Sequence, residues 1–327
     1  MSQALRTAAE IADTVLFPAA NTVDTADRVP ASHLDLLAAN GFYGLSTLDI
    51  EDYPSLLRLV ETLAGGCLTT TFVWLQHHGP VRALDRSANQ ALREAYLADL
   101  TAGRRRAGIA VGAAVRPGPP LLRAEPVEGG YRFHGSAPWV SGWDMVDLLQ
   151  VAARDEQDVL VFALLDAVAG DSLSVAPLDL LAVQASRTVT LTFDGCFVPH
   201  ERVVHTVPQA EHLTGDAESQ RFNGALALGV AGRAITLLGD AAGTLPGQLD
   251  AARAQLHTAA PEDVPLARAA GAELALRAAN ACAVHQGSRS LLPGSDAQRL
   301  VREATFLLLF GSRPTIRSAL LSRLTQR

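Results

Sequence analysis

The sequence predicts an α+β fold in three successive parts: an N-terminal helical domain over residues 1–104, a middle β-barrel over 105–210 and a C-terminal four-helix bundle over 211–327. Three observations carry this. The two flanking parts are rich in Ala and Leu at helical spacing. The middle part is a series of short β-branched runs, spaced about ten residues apart and divided by turn residues. Apolar residues make up 48% of the 327 and charged residues only 19%, enough to bury a large core in two or three domains.

The elements follow in order. Ala8, Ile11, Val15 and Leu16 share a helical face, and a second helix carrying Leu34, Leu36 and Leu37 stops at Asn40-Gly41. "TTTFVWLQHHGPVRAL" reads as an apolar helix broken near Gly79-Pro80. The middle runs are "GIAVGAAV", "GGYRFHGSAPWVSG", "DLLQVAAR", "VLVFALL", "LSVAPL", "TVTLTFDGCFVP" and "RVVHTV", with a hairpin turn in "VEGGYRF". Helix returns in "ESQRFNGALALGVAGRAITLLGDAAG" and "VPLARAAGAELALRAANACAVHQ". Segment 240–265 reads as a loop or broken helix, and Ser295 or Asp296 as the N-cap of the next helix.

Several function classes drop out. The net charge of −7 leaves no dominant basic surface, so no nucleic-acid partner is expected; Arg104, Arg105 and Arg106 are read as a solvated run. All 27 basic residues are Arg, which removes Schiff-base lysines, Ser-Lys dyads and a P-loop lysine. Neither GxSxG nor GxGxxG follows a strand-like run. Cys67, Cys196 and Cys282 are far apart, without metal spacing, and their odd number suits a reducing cytoplasm. The N-terminus lacks a signal-peptide pattern, and no uncharged apolar run suggests a membrane span.

The motifs, in their order and spacing, resemble the acyl-CoA dehydrogenase family of flavoproteins over essentially the whole chain. They are "FPAANTVDTADRVPASHLDLLAANGFYGL", "HGSAPWVSGWDMVD", "LAVQASRTVTLTFDGCFVP", "ESQR" and the closing "HQGSRSLLPGSDAQRLVREATFLLLFGSRPTIRSALLSRL". The resemblance implies FAD and a CoA thioester as ligands, Cα–Cβ oxidation as the reaction, and assembly as a homo-oligomer or with a catalytic paralogue through the C-terminal helices. The electron acceptor stays open. A flavin needs an apolar wall and donors at its polar edge. Trp139 offers the wall; Ser141 and the Val140 and Gly142 amides offer donors; Ser186 and Thr188 match flavin-side hydroxyls. A core Trp and two turn residues are the plainer readings. Gly287, Ser288 and Ser290 match a loop near the adenosine end of FAD. Arg221 matches a CoA-contacting residue, with Glu218 on the same helix face; a surface ion pair is the alternative. Arg302 and Glu303 match an Arg-acid pair of structural type.

The departures concern chemistry. Dehydrogenation beside a thioester needs a base for the α-proton, a carboxylate in the family. Its two family positions correspond here to Gly311 (Phe310 if the register slips by one) and Gln220, none of which can take a proton. Glu218 lies two residues away and points elsewhere around the helix. The family's Thr-Glu-Pro strand is replaced by "AVGAAVRPGPP", and its Arg-x-x-Phe-Gly loop, which reaches the flavin pyrophosphate, by "GDAAGTLPGQLDAA". His77 and His78 could face the substrate as bases, or simply pack with one ring buried; His134, His200 and His205 look like strand and turn residues. Three readings remain: an acyl-CoA dehydrogenase-like flavoenzyme, a non-catalytic subunit or binding module of the same fold, and a flavin-dependent oxygenase that needs no such carboxylate.

Overall fold

The computed structural model describes residues 2–47, 53–214, 217–311 and 313–325, so Ser312 of the "FGS" break lies outside the described residues. The helices before the sheet are α1 (Ser2–Ile11), α2 (Phe17–Asp24), α3 (Ala31–Ala39), α4 (Tyr53–Gly66), α5 (Leu68–Gln76), α6 (His78–Asp85) and α7 (Gln90–Thr101). A π turn, Ala12–Leu16, joins α1 to α2. The break predicted near Gly79-Pro80 falls instead at His77. Pro80 sits in the first turn of α6, where its missing N–H costs no helical hydrogen bond.

The strands are β1 (Ala107–Ala110), β2 (Leu122–Val127), β3 (Gly130–Val140), β4 (Leu148–Arg154), β5 (Val159–Asp166), β6 (Leu173–Pro177), β7 (Val189–Pro199) and β8 (Val203–Pro208). They form one mixed eight-stranded sheet in the order β6-β7-β3-β2-β4-β5-β8, with β1 paired to β4. Two halves meet at a single parallel pair, Arg123 with Arg154, and the ladder does not close β6 onto β8. The predicted hairpin is β2–β3, with Val127 opposite Gly130 across the turn Glu128-Gly129. β4 is buried at every residue, as a strand covered on both faces must be. "AVGAAVRPGPP" folds as the short helix α8 (Gly112–Val115).

After the sheet come α9 (Gln209–Thr214), α10 (Ala217–Leu238), α11 (Leu245–Thr258), α12 (Val264–Gln286), α13 (Asp296–Leu309) and α14 (Pro314–Thr325). Segment 240–265 is mostly α11, with Pro246 in its first turn. Ser295 caps α13 by accepting from the Gln298 amide. α10 packs on both α4 and α12. At the first crossing the backbones touch: a Cβ on Gly229 would lie 2.3 Å from the Glu61 carbonyl oxygen, so only Gly fits. The apolar stretch of α10 passes for a membrane span by length and hydropathy alone, but 61% of its apolar window is buried inside the molecule.

A buried ionic network ties the first helices to the last. Arg299 is 2% exposed and contacts Glu303, Asp296 and Asn21. Arg302 grips Asp24, so Arg302 and Glu303 are not partners of each other.

Candidate functional site

The ring-side residues predicted for a flavin converge where β3 ends and β7 begins. The hydroxyls of Ser141 and Ser186 each lie 2.8 Å from the Thr188 hydroxyl, forming a buried chain of three. Beside them Trp139 is held out of the sheet, 58% exposed, at an irregularity in the β3–β7 pairing. One amide donor differs from expectation: Gly142 N–H donates to the Ser186 carbonyl at 2.8 Å and so is not presented to a ligand, while Val140 stands opposite Val189 in the ladder.

Backbone strain collects at the same place. Five non-glycine residues among those described have positive φ, and four of them are here: Trp139 (66°), Asp144 (64°), Val183 (53°) and Arg187 (49°). Such conformations are unfavourable for L-residues, and most of all for a β-branched one. Several contacts impose them. Trp143 N–H donates to the Arg187 carbonyl at 3.3 Å, and Arg187 is ion-paired with Asp144. The turn is clamped from outside by Val29 N–H on Ala185 O and by Arg302 on Leu181 O, both at 3.0 Å. Asp144, Val183 and Arg187 were not singled out in the sequence, because the sign of φ there is set by these distant contacts.

The second cluster surrounds the two family base positions. Gly311 has φ +54° and is exposed. A Cβ there would lie 3.4 and 3.7 Å from the two terminal nitrogens of Arg268 and 3.6 Å from the Asn223 amide nitrogen. Arg268 is 3% exposed; its guanidinium donates to the Gly311 carbonyl at 3.0 Å and to that of Phe310. It thus caps the C-terminal end of α13, where the helix dipole favours a cation. Gln220, also buried, lies one turn before Asn223 on α10. Both base positions therefore border one place, where the described atoms nearest a Gly311 Cβ belong to an amide and a guanidinium.

α5 lies between the clusters. Val73 comes within 3.9 Å of where a Cβ on Gly142 would be, while the next ring back, Phe72, meets Phe310 edge to face at 4.8 Å.

Other candidates have different settings. Glu218 pairs with Arg82 of α6, not with Arg221. Arg221 donates to the carbonyls of Leu256 and Ala259, capping α11. His77 accepts from the Ala107 amide at 3.0 Å through Nδ1 and donates through Nε2 to Leu100 O at 3.1 Å, so it is a neutral structural ring. Burial pushes the His78 imidazole down to about 3, and its ring meets Trp74 at 4.5 Å. Gly287 and Ser288 are exposed at the end of α12, about 28 Å from Arg268 by helical rise, and Ser290 donates to Ala283 O. They do not join the ring-side cluster. Among the described residues no His, Cys, Asp and Glu group could hold a metal.

The ring-side residues fit a flat conjugated ring: an exposed indole stands beside a buried hydroxyl chain on a strained, clamped turn.

Comparison with known proteins agrees with this architecture. Residues 2–104 match the family described as acyl-CoA dehydrogenase, N-terminal domain. The chain is 27% identical over 252 residues to benzylmalonyl-CoA dehydrogenase of Aromatoleum aromaticum, an alignment spanning 70% of this chain and 64% of that protein. It superposes on a glutaryl-CoA dehydrogenase–glutaryl-CoA complex with a TM-score of 0.86, covering 100% of this chain and 95% of that one at 17% identity. The FAD complex of PigA gives 0.82, covering 99% and 97% at 17% identity. At such identities the structural likeness is one of fold. Residues 2–104 thus match the acyl-CoA dehydrogenase N-terminal domain, and the chain as a whole has the acyl-CoA dehydrogenase fold.

Proposed function

We propose that this protein binds FAD and a CoA thioester as its family does, and that its α,β-dehydrogenation of the thioester is held back by the missing base. The observation that carries the reading is the pairing of an intact ring-side cluster with a base-side cluster of Gly311, Gln220, Asn223 and Arg268. Trp139 would lie against the flavin ring, and the Ser141–Thr188–Ser186 chain would meet its polar edge. FAD, when bound, supplies the acceptor for the hydride that leaves Cβ.

The remaining work falls to this chain. Removing the α-proton requires a group that can hold it, and amides and guanidinium cannot. Glu218 is engaged by Arg82, and burial holds His77 and His78 neutral but poorly basic. α-Proton removal is therefore slow, and a non-catalytic subunit of the same fold is the second reading that the same observation favours. Arg221 contributes to thioester binding by fixing α11 beside α10. Leu266, Val284, Leu291 and Leu292 are more than half exposed along α12 and the turn after it, and supply an apolar face for oligomer assembly. The small residues of α10 and α12 are largely buried within the chain, as close helix packing requires.

The visible spectrum of the protein after incubation with FAD and gel filtration tests the cofactor. A retained flavin band that shifts on adding butyryl-CoA supports the reading; a colourless protein contradicts it.

A further inference from the structure

We infer that Arg302 and Asp24 are positioning residues for the cofactor: their ion pair fastens the turn that carries Ser186 and Thr188, so that FAD affinity depends on a contact between α2 and α13, outside the ring-side cluster. The inference rests on the FAD-binding reading above and adds the residues that hold its hydroxyls in place. All three nitrogens of the Arg302 guanidinium are engaged. Nη1 donates to Asp24 Oδ1 at 2.9 Å and to the Leu181 carbonyl at 3.0 Å, Nη2 donates to Asp24 Oδ2, and Nε donates to Gln298 at 3.0 Å. Such a planar fork fixes two partners in one geometry. The Leu181 side chain is 90% exposed, so the bond to its carbonyl, and not burial, holds that residue in place.

The turn needs a fastening. It runs from Leu178 to Thr188, joined by an N–H to carbonyl bond of 3.0 Å, and within it Val183 and Arg187 have φ of 53° and 49°. Such conformations persist only where the surroundings over-determine them. Inside the turn, Leu180 N–H donates to the Gln184 side chain at 2.6 Å. From outside come Val29 N–H on the Ala185 carbonyl and Arg302 on the Leu181 carbonyl. Relaxation of the turn would displace Ser186, which reaches Thr188 through its hydroxyl and Gly142 through its carbonyl. A ligand that meets only the fastened form binds more weakly in proportion as that form is depopulated.

The test is calorimetric titration of the full-length, flavin-free protein with FAD. Arg302→Leu is expected to weaken binding about tenfold or more, as loss of a charge-assisted contact allows. Arg302→Lys keeps the charge opposite Asp24 without the planar fork, is expected to lose less, and carries the comparison if Arg302→Leu does not fold. Gly229→Ala, at the α4–α10 crossing, controls for general destabilisation and is expected to leave the affinity unchanged. In the flavin-free chain, hydrogen exchange over residues 178–188 should quicken in the Arg302 variants and not in Gly229→Ala. Equal FAD affinity in the unmodified chain and the Arg302 variants, or unchanged exchange in that turn, would overturn the inference while leaving the FAD reading intact. An equal loss of affinity in Gly229→Ala would also overturn it, since binding would then follow stability alone. An unmodified protein that binds no FAD would overturn the underlying reading.

Discussion

Gly311 and Arg268, 43 residues apart in sequence, meet at the end of α13, the position that the resemblance aligns with the family's closing carboxylate: a Cβ on Gly311 would lie 3.4 Å from an Arg268 nitrogen. Restoring the carboxylate at this position therefore has two obstacles. The φ of +54° disfavours any side chain, at a cost of about 1–2 kcal/mol, and the guanidinium would hold the new carboxyl below its usual range. Gly311→Glu is expected to lower the thermal midpoint and to leave dehydrogenation as slow as before, measured by scanning calorimetry and flavin bleaching.

Arg221 caps the end of α11 through the Leu256 and Ala259 carbonyls. Arg221→Ala should cost about 1–3 kcal/mol of stability by leaving those carbonyls without their charged donor. Urea denaturation measures this. A loss of CoA-thioester affinity with unchanged stability would instead make Arg221 a direct ligand contact.

His78 gives the fold a pH dependence. Its folded value lies near 3, below the unfolded value, so the unfolded chain binds the extra proton between the two. Its contribution is complete above pH about 6.5 and is lost as pH falls toward 3, by about 1.4 kcal/mol per pH unit. The thermal midpoint of the unmodified protein should drop between pH 7 and pH 5. His78→Phe should flatten that slope.

The α4–α10 crossing depends on Gly229, whose absent side chain lets the Glu61 carbonyl approach. Gly229→Ala should destabilise the protein by about 2–3 kcal/mol through overpacking. An unchanged denaturation midpoint would mean that the helices can separate without loss.

Much of the fold was legible because its signals are local. The β2–β3 hairpin follows from turn residues between β-branched runs, and the α13 cap follows from Ser295 ahead of an apolar pattern. α11 was obscured because Gly243, Pro246 and Gly247 look like punctuation, although a proline in the first turn removes no helical hydrogen bond. In the candidate site, Trp139, Ser141, Ser186 and Thr188 could be named only through the resemblance of their motifs to the family. The roles of Val183, Arg187 and Arg268 could not, since each is defined by a partner distant in sequence.

Gln220 offers the cleaner test of the missing base, because it is buried on a regular helix, one turn from Asn223, with no backbone strain to overcome. The measurement is anaerobic stopped-flow bleaching of the FAD-loaded protein by butyryl-CoA and succinyl-CoA, in the unmodified chain and in Gln220→Glu. The account predicts slow or undetectable bleaching in the unmodified chain and a rise of about 10²–10⁴-fold in Gln220→Glu, the range that general-base catalysis supplies. Rapid bleaching by the unmodified chain would contradict it.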